Sequence, residues 1–382
     1  MRIRFDRNEL SGAFGDIGTD LPLIVAIVLV SGLDPASVFL MFGMMQVLTG
    51  TIYGIPMPVQ PLKAVAVIAI SLKLSGSVIL GAGLSIGLVM LFLTVTALIN
   101  WINKVVPNSA IRGIQFGLGV NLILLALNSY IPADGLKGYL LSVAGFIIII
   151  SLIGNRKFPP ALPVIMLGVL YAFLFNVQHK AFIQSFDFTL PSINLPKFED
   201  ILTGFIILAI PQIPLSITNS VLATQKVAED FFPKSKLNVK RIAFTYSFMN
   251  LVNPFLGGVP VCHGSGGLVG HYTFGARTGG SVIIYGCLYL IIGLFCSQGF
   301  DKALQIFPLP ALGIILIFEG FGLAKLIRQT STNKDLYIAL VVGLLAIALK
   351  YGFLIGLIVG TMLHYSFKKL KNRFEFEKKK GA

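Results

Sequence analysis

Apolar runs recur from end to end of the chain, separated by short polar or charged stretches, and fourteen can be counted. The first set covers about 10–31, 35–54, 58–72, 78–100, 109–127, 138–153 and 159–176. The second covers about 201–225, 241–256, 263–275, 278–297, 307–325, 335–350 and 352–367. Roughly 20 apolar residues span a bilayer as a helix, so the pattern predicts an all-α polytopic membrane protein. The third run of each set is short and broken. In the first set the break reads Tyr53-Gly-Ile-Pro-Met-Pro-Val-Gln-Pro-Leu-Lys63, and in the second Gly257-Gly-Val-Pro-Val-Cys-His-Gly-Ser-Gly-Gly267. Proline removes a backbone donor and clashes with the preceding turn. Broken backbone at membrane depth survives only where it is buried in protein or lines a cavity. Setting Gly54 on Gly258 places Pro56 on Pro260, so the two breaks match.

Seven is odd, so the second set enters the membrane from the opposite side, and the chain reads as an inverted repeat. Its predicted divisions are 1–176 and 201–367 for the repeats, 177–200 for an extracytoplasmic connection and 368–382 for a basic cytoplasmic tail. Charge supports this orientation. With both termini inside, 23 Lys and Arg fall on the cytoplasmic side, Arg112 among them, and 6 outside. That bias is the positive-inside pattern. Lys63 alone is intramembrane.

Composition narrows the class. The chain is 55% hydrophobic and 12% charged, against about 25% charged for a soluble domain. The net charge of +14 is an orientation signal and an attraction to anionic lipid, not a nucleic-acid footprint. Cys262, Cys287 and Cys296 all lie in apolar runs and imply no disulfide framework. The N-terminus lacks a small-residue cleavage signature, so no removable signal is expected.

The chemistry concentrates at the breaks. Gln60 and the residues after Pro58 are expected to form one helix N-terminus, and Gly264, Ser265, Gly266 and Gly267 another. Helix N-termini carry partial positive charge and free N–H donors, which suits a compact oxyanion. His263 adjoins this group. The same glycines could instead only permit close packing. Lys63, expected in the second turn of the first half-helix, could attract an anion, pair with Asp16 or Asp20, or do both. Gln212, Ser216 and Asn219 are spaced to share one face of the eighth segment. They could supply neutral donors or hold helices together. Asp16, an acid at mid-depth, is the candidate proton carrier. Glu319, the other intramembrane acid, reads as a packing or gating residue. Ser265 lacks the first glycine of a serine-protease motif. No Gly-Lys-Ser/Thr follows the glycines as a phosphate loop would require, and no cluster has metal-site spacing. Neither an enzyme nor a cofactor is expected.

Several blocks resemble the signatures of the molybdate transporter family, a relative of the sulfate permeases. They are Gly15-Asp-Ile-Gly-Thr-Asp-Leu-Pro-Leu23, Gly54-Ile-Pro-Met-Pro-Val-Gln-Pro-Leu-Lys63, Pro211-Gln-Ile-Pro-Leu-Ser-Ile-Thr-Asn-Ser220, Pro260-Val-Cys-His-Gly-Ser-Gly-Gly-Leu268 and Phe274-Gly-Ala-Arg-Thr-Gly-Gly-Ser281. The resemblance implies secondary transport of a tetrahedral oxyanion. Molybdate is the first expectation; sulfate, tungstate or an anion channel are the alternatives. It also implies the seven-plus-seven fold of sulfate and uracil permease-type carriers. In that fold segments 1–4 and 8–11 form a core, and 5–7 and 12–14 a gate. The wider fold family suggests a homodimer, and the expected location is the inner membrane. The regulatory domain that usually ends sulfate permeases is missing. Uracil permease-type carriers place an acid in segment eight, where this chain has Gln212 and Asn219, so a nucleobase is disfavoured.

Overall fold

The computed structural model describes residues 2–99, 101, 105–155, 159–175, 188, 190–235, 237–295 and 308–380, with side chains as far as 367. Cys296, the cations Lys104, Arg156, Lys157, Lys180, Lys236 and Lys302, and the connection as far as 187 lie outside the described residues.

A helix lies in each of the fourteen predicted segments. In order they are α1 (Arg7–Ala13), α2 (Ile17–Ser31), α3 (Pro35–Tyr53), α4 (Lys63–Leu72), α5 (Gly76–Val95), α6 (Asn108–Leu125), α7 (Gly135–Leu152) and α8 (Ala161–Phe175). After the connection come α9 (Phe198–Phe231), α10 (Val239–Val252), α11 (Ser265–Thr273), α12 (Gly280–Phe295), α13 (Leu309–Ala324), α14 (Asn333–Ala348) and α15 (Gly352–Lys380). The first segment holds two helices, α1 and α2, which meet at 43°. Five described helices are long and apolar enough to cross a membrane unaided, and α1 with α2 makes a sixth if the bent pair is one span. The last helix runs on to Lys380, beyond the predicted end at 367. Along α7, Leu136, Leu140, Val143, Ile147 and Ile150 form one exposed apolar stripe, which suits hydrocarbon rather than water.

Local chemistry sets the ends. Asp34 caps α3 by accepting from Ser37 N at 3.0 Å, with Pro35 in the first turn, where proline loses nothing. The helix stops at Gly54 with φ 64, a left-handed conformation glycine adopts without penalty. Packing then sorts the helices into two groups. α3 lies on α12, α5 lies on α9 and α10, and α2 lies on α4. Separately, α6 lies on α13 and α14, and α14 on α15. Backbones touch where side chains would collide: a methyl on Gly119 of α6 would stand 2.4 Å from the Gly320 carbonyl oxygen of α13. Such close approach is how membrane helices gain contact.

The two breaks become strands, β1 (Val59–Pro61) and β2 (Val261–His263). They pair antiparallel, Val59 with His263, Gln60 with Cys262 and Pro61 with Val261. A two-stranded sheet leaves each strand one open edge, which cannot stay unpaired away from water. Amide side chains close both edges in the same way. Gln46 of α3 donates to Val59 O at 2.7 Å and accepts from Val59 N at 2.9 Å. Asn250 of α10 donates to Val261 O at 2.6 Å and accepts from Val261 N at 3.0 Å. Val59 therefore corresponds to Val261, and Pro58, not Pro56, to Pro260. The sequence match slipped by two residues for a physical reason. In the second half a 3-10 turn, Asn253–Leu256, precedes the left-handed glycine, here Gly257 with φ 72. Fewer residues then lead from Gly257 to β2 than from Gly54 to β1.

Candidate functional site

Each strand turns directly into a short helix, β1 into α4 and β2 into α11, so two helix N-termini converge behind the sheet. A cavity of about 350 Å³ lies against them. It gathers Gln60, Lys63, Gln212 and Asn219 with His263, Gly264, Ser265 and Gly266. Eight of the nine residues predicted to bind substrate thus share one space.

The ninth, Ser216, does not line it. Ser216 is fully buried, accepts from Gln212 Nε2 at 3.0 Å and bonds Tyr246 Oη at 2.6 Å. Gln212 and Ser216 do share a face one turn apart, and the Ser216 hydroxyl is taken up between Gln212 and Tyr246. The π-helical turn Ser216–Leu222 follows, and both Asn219 and Ser220 reach the cavity. Ser216 instead orients Gln212.

The two helix N-termini differ. Lys63 is the first residue of α4, not a second-turn residue, because Gln60 lies in the strand before it. The next two donors are already used: Gln212 Oε1 accepts from Ala64 N at 3.0 Å and Val65 N at 3.3 Å. At α11 the N–H groups of Ser265, Gly266 and Gly267 have no acceptor among the described residues. The glycines there also lie close to side chains. A methyl on Gly264 would stand 1.9 Å from Gln60 Oε1, and one on Gly267 2.2 Å from Asp16 Oδ2. Gly266 has nothing within 4 Å of that position.

Charge is arranged differently from expectation. Lys63 pairs with Glu319 of α13, not with Asp16 or Asp20. Glu319 also accepts from Thr19 Oγ1 of α2 at 3.2 Å, so an acid distant in sequence is brought to the half-helix. It borders a second cavity of about 260 Å³ with Gly15, Thr19 and Phe318. Asp16 sits at the bend between α1 and α2 and accepts from Gln60 Nε2 at 2.5 Å. Asp20 is fully buried and makes no ion pair among the described residues. His263 is buried, bonds Thr245 Oγ1 through Nε2 at 2.7 Å, and packs edge-on to Tyr53. His271 lies outside the cavity with Nδ1 3.1 Å from Ser281 Oγ.

Two residues were missed. Arg112 and Gln115 of α6 line the cavity from the side facing the half-helices. Arg112 had been counted with the cytoplasmic loop charges because it follows a polar stretch closely. Its spacing from Gln115, one helical turn inside an otherwise apolar run, is the signal that could have drawn attention to it.

A model of the family described as "Molybdate transporter of MFS superfamily" matches residues 8–122 and 204–323. The chain belongs to the molybdate transporter family. Molybdate transporter 2 of Arabidopsis thaliana is 32% identical over 382 residues, covering 87% of this chain and 82% of that protein. Molybdate transporter 1 of the same plant is 30% identical, covering 93% and 87%. Its relatives are transporters, which sets enzyme readings aside. The fold is similar to the transmembrane domain of a cyanobacterial bicarbonate transporter, BicA. That match has TM-score 0.66 and 16% identity, and covers 95% of this chain and 98% of that one. It is also similar to murine SLC26A9, an anion transporter solved in an inward-facing state, with TM-score 0.73, 12% identity and coverage of 97% and 70%. This member of the family is thus a helical membrane protein of that fold.

Proposed function

We propose that the protein is a secondary transporter that imports molybdate across the inner membrane by alternating access. The anion lies in the cavity at the N-terminus of α11. The observation that carries this reading is the set of N–H groups at Ser265, Gly266 and Gly267 with no acceptor among the described residues, at a helix start whose Ser265 and Gly266 line the cavity, in a member of the molybdate transporter family. Such N–H groups, with the helix dipole behind them, suit an oxyanion. Gln60, Gln212 and Asn219 supply neutral donors around it. Gln212 also caps α4, so the two N-termini take unequal parts: one holds the ligand, the other holds the wall.

Fourteen spans arranged as a seven-plus-seven inverted repeat, with cytoplasmic termini, complete the reading. The paired strands and the matching Gln46 and Asn250 bonds support it locally. The two packing groups then serve as core and gate, rocking about the half-helices. Leu326 and Gln329, beyond the end of α13, line the cavity, which supports a cavity that reaches the side assigned here to the cytoplasm.

The test is uptake by purified protein in vesicles. Saturable accumulation of molybdate against its gradient, competed by tungstate more strongly than by sulfate, is the expected result. Sulfate accumulation without molybdate uptake would reassign the substrate and keep the site. Flux that never exceeds equilibrium would make the protein an anion channel.

A further inference from the structure

We propose that Arg112 of α6, with Gln115 beside it, is the charge partner of the transported anion and is supplied by the gate rather than by the half-helices. The inference rests on the reading above of the cavity as an oxyanion site.

A dianion needs positive charge, and two cations line the cavity, Lys63 and Arg112. Lys63 is neutralised by Glu319. Arg112 has no carboxylate partner among the described residues; its Nη1 donates to the neutral Gln115 Oε1 at 2.8 Å. No carboxylate lines this cavity. A guanidinium held in a membrane protein without a counter-charge is expensive and marks a ligand path. Its planar fork also matches an oxyanion edge, with two donors side by side.

Gln115 is a second, independent sign. It is 1% exposed, it lines the cavity, and its Nε2 has no partner among the described residues. The bond to Arg112 uses the amide oxygen, so the end left without a partner is a donor, buried beside the cavity wall. Both residues stand on a firm platform. Methyls on Gly113, Gly117 and Gly119 of α6 would fall within 2.7 Å of α13 and α14 atoms, so this helix moves with the gate.

The placement gives the anion a mechanical role. Its oxygens meet the α11 N–H groups on one side and Arg112 on the other, so it spans the two packing groups. Occupancy then draws the two surfaces together. Without the anion, Arg112 meets across the cavity, among the described residues, only neutral groups and Lys63, itself paired with Glu319.

The experiment is calorimetric titration of molybdate into purified full-length protein. Wild type is compared with Arg112→Gln, Arg112→Lys, Gln115→Glu and Lys226→Gln. Lys226 is an exposed control cation paired with Asp230 outside the cavity. Arg112→Gln should weaken binding by roughly 10- to 100-fold, the worth of a hydrogen-bonded charge. Arg112→Lys should restore part of that, and Lys226→Gln should match wild type. Gln115→Glu keeps Arg112 in place but gives it a carboxylate partner. It should weaken binding similarly, which holds the inference to account even where Arg112→Gln fails to fold. Wild-type affinity in Gln115→Glu, or in a folded Arg112→Gln, overturns the inference and leaves the proposed function standing. Wild-type protein that binds neither molybdate, tungstate nor sulfate overturns both.

Discussion

Three glycines at the start of α11 offer a test in which one small change should do two different things. Gly264, Gly266 and Gly267 sit within one turn, and each can be replaced by alanine. At Gly264 the new methyl would lie 1.9 Å from Gln60 Oε1 and 2.1 Å from Gln60 Cδ. Gln60 cannot simply swing away, because it is buried and its Nε2 is held by Asp16 at 2.5 Å. At Gly267 the methyl would lie 2.2 Å from Asp16 Oδ2 and 2.8 Å from Pro58 Cγ. Overpacking of this kind costs about 1–3 kcal/mol. Displacing a hydrogen bond to a charged group adds about 1.5–3 kcal/mol. Gly264→Ala and Gly267→Ala should therefore each lose about 2.5–6 kcal/mol of stability. Gly266 has nothing within 4 Å, and alanine in a helix is favoured over glycine by up to about 1 kcal/mol. Gly266→Ala should unfold no earlier than wild type, yet its methyl stands in the cavity wall beside the free N–H groups. Keeping the anion from one such donor should cost about 1.5–3 kcal/mol of binding, or roughly 10- to 100-fold in Kd. Thermal unfolding in detergent and molybdate calorimetry on the same samples separate the two effects. Undiminished molybdate affinity in Gly266→Ala would refute close approach of the anion to this backbone. Wild-type stability in Gly264→Ala would refute the rigid Gln60–Asp16 contact.

Five other substitutions, at four positions, probe the surrounding polar and charged groups. Glu319→Gln frees Lys63 and should tighten molybdate binding severalfold. Lys63→Ala leaves Glu319 uncompensated near the site and should weaken binding. Each should lose about 1–3 kcal/mol of stability, less than a fully buried pair, since the Lys63 side chain is 30% exposed; affinity shifts of the same sign in both variants would remove this ion pair from the account. Gln212→Ala uncaps α4 and should cost about 1–3 kcal/mol in thermal unfolding. Gln212→Glu keeps the acceptor for Ala64 and Val65 but gives up the amide donor to Ser216 and buries a negative charge, so it should bind molybdate worse than Gln212→Ala does. Asp16→Asn keeps an acceptor for Gln60 and removes the charge. If Asp16 carries the coupled proton, uptake in vesicles should become insensitive to pH, and full pH dependence in that variant would exclude it.

The fold was legible because its signals are local. Apolar length located the helices, and proline with glycine located the breaks, since backbone chemistry at membrane depth tolerates few alternatives. The candidate site was legible for the same reason: Gln60, Gly264, Ser265 and Gly266 are polar or small residues beside a break, and the chain brings both breaks together. What escaped was whatever depends on one segment meeting another. Gln46 and Asn250 look like helix-packing amides until the strands exist whose open edges they close. Glu319 could not be joined to Lys63 by any spacing, because α13 and α4 meet only through the packing of the two groups.

Ser216 and Arg112 show the two ways such a reading goes astray. At Ser216 the residue type and the shared face with Gln212 were informative, but the hydroxyl is buried between Gln212 and Tyr246 and does not reach the cavity. At Arg112 the position was read as orientation alone. A cation near a helix end serves the positive-inside bias and can also reach a cavity, and only its surroundings decide between these roles. Here they are an apolar helix packed on α4, α13, α14 and α15, a neutral amide partner, and no carboxylate among the described residues of the cavity wall. The same reasoning separates Arg112 from Lys63. Both are cations beside one cavity, but among the described residues the first lacks a counter-charge and the second has one. An anion entering between them gains most from the unpaired group. In the reading proposed above, Lys63 ties α4 to α13 through Glu319, and the pull on the ligand comes from Arg112 on the opposite wall.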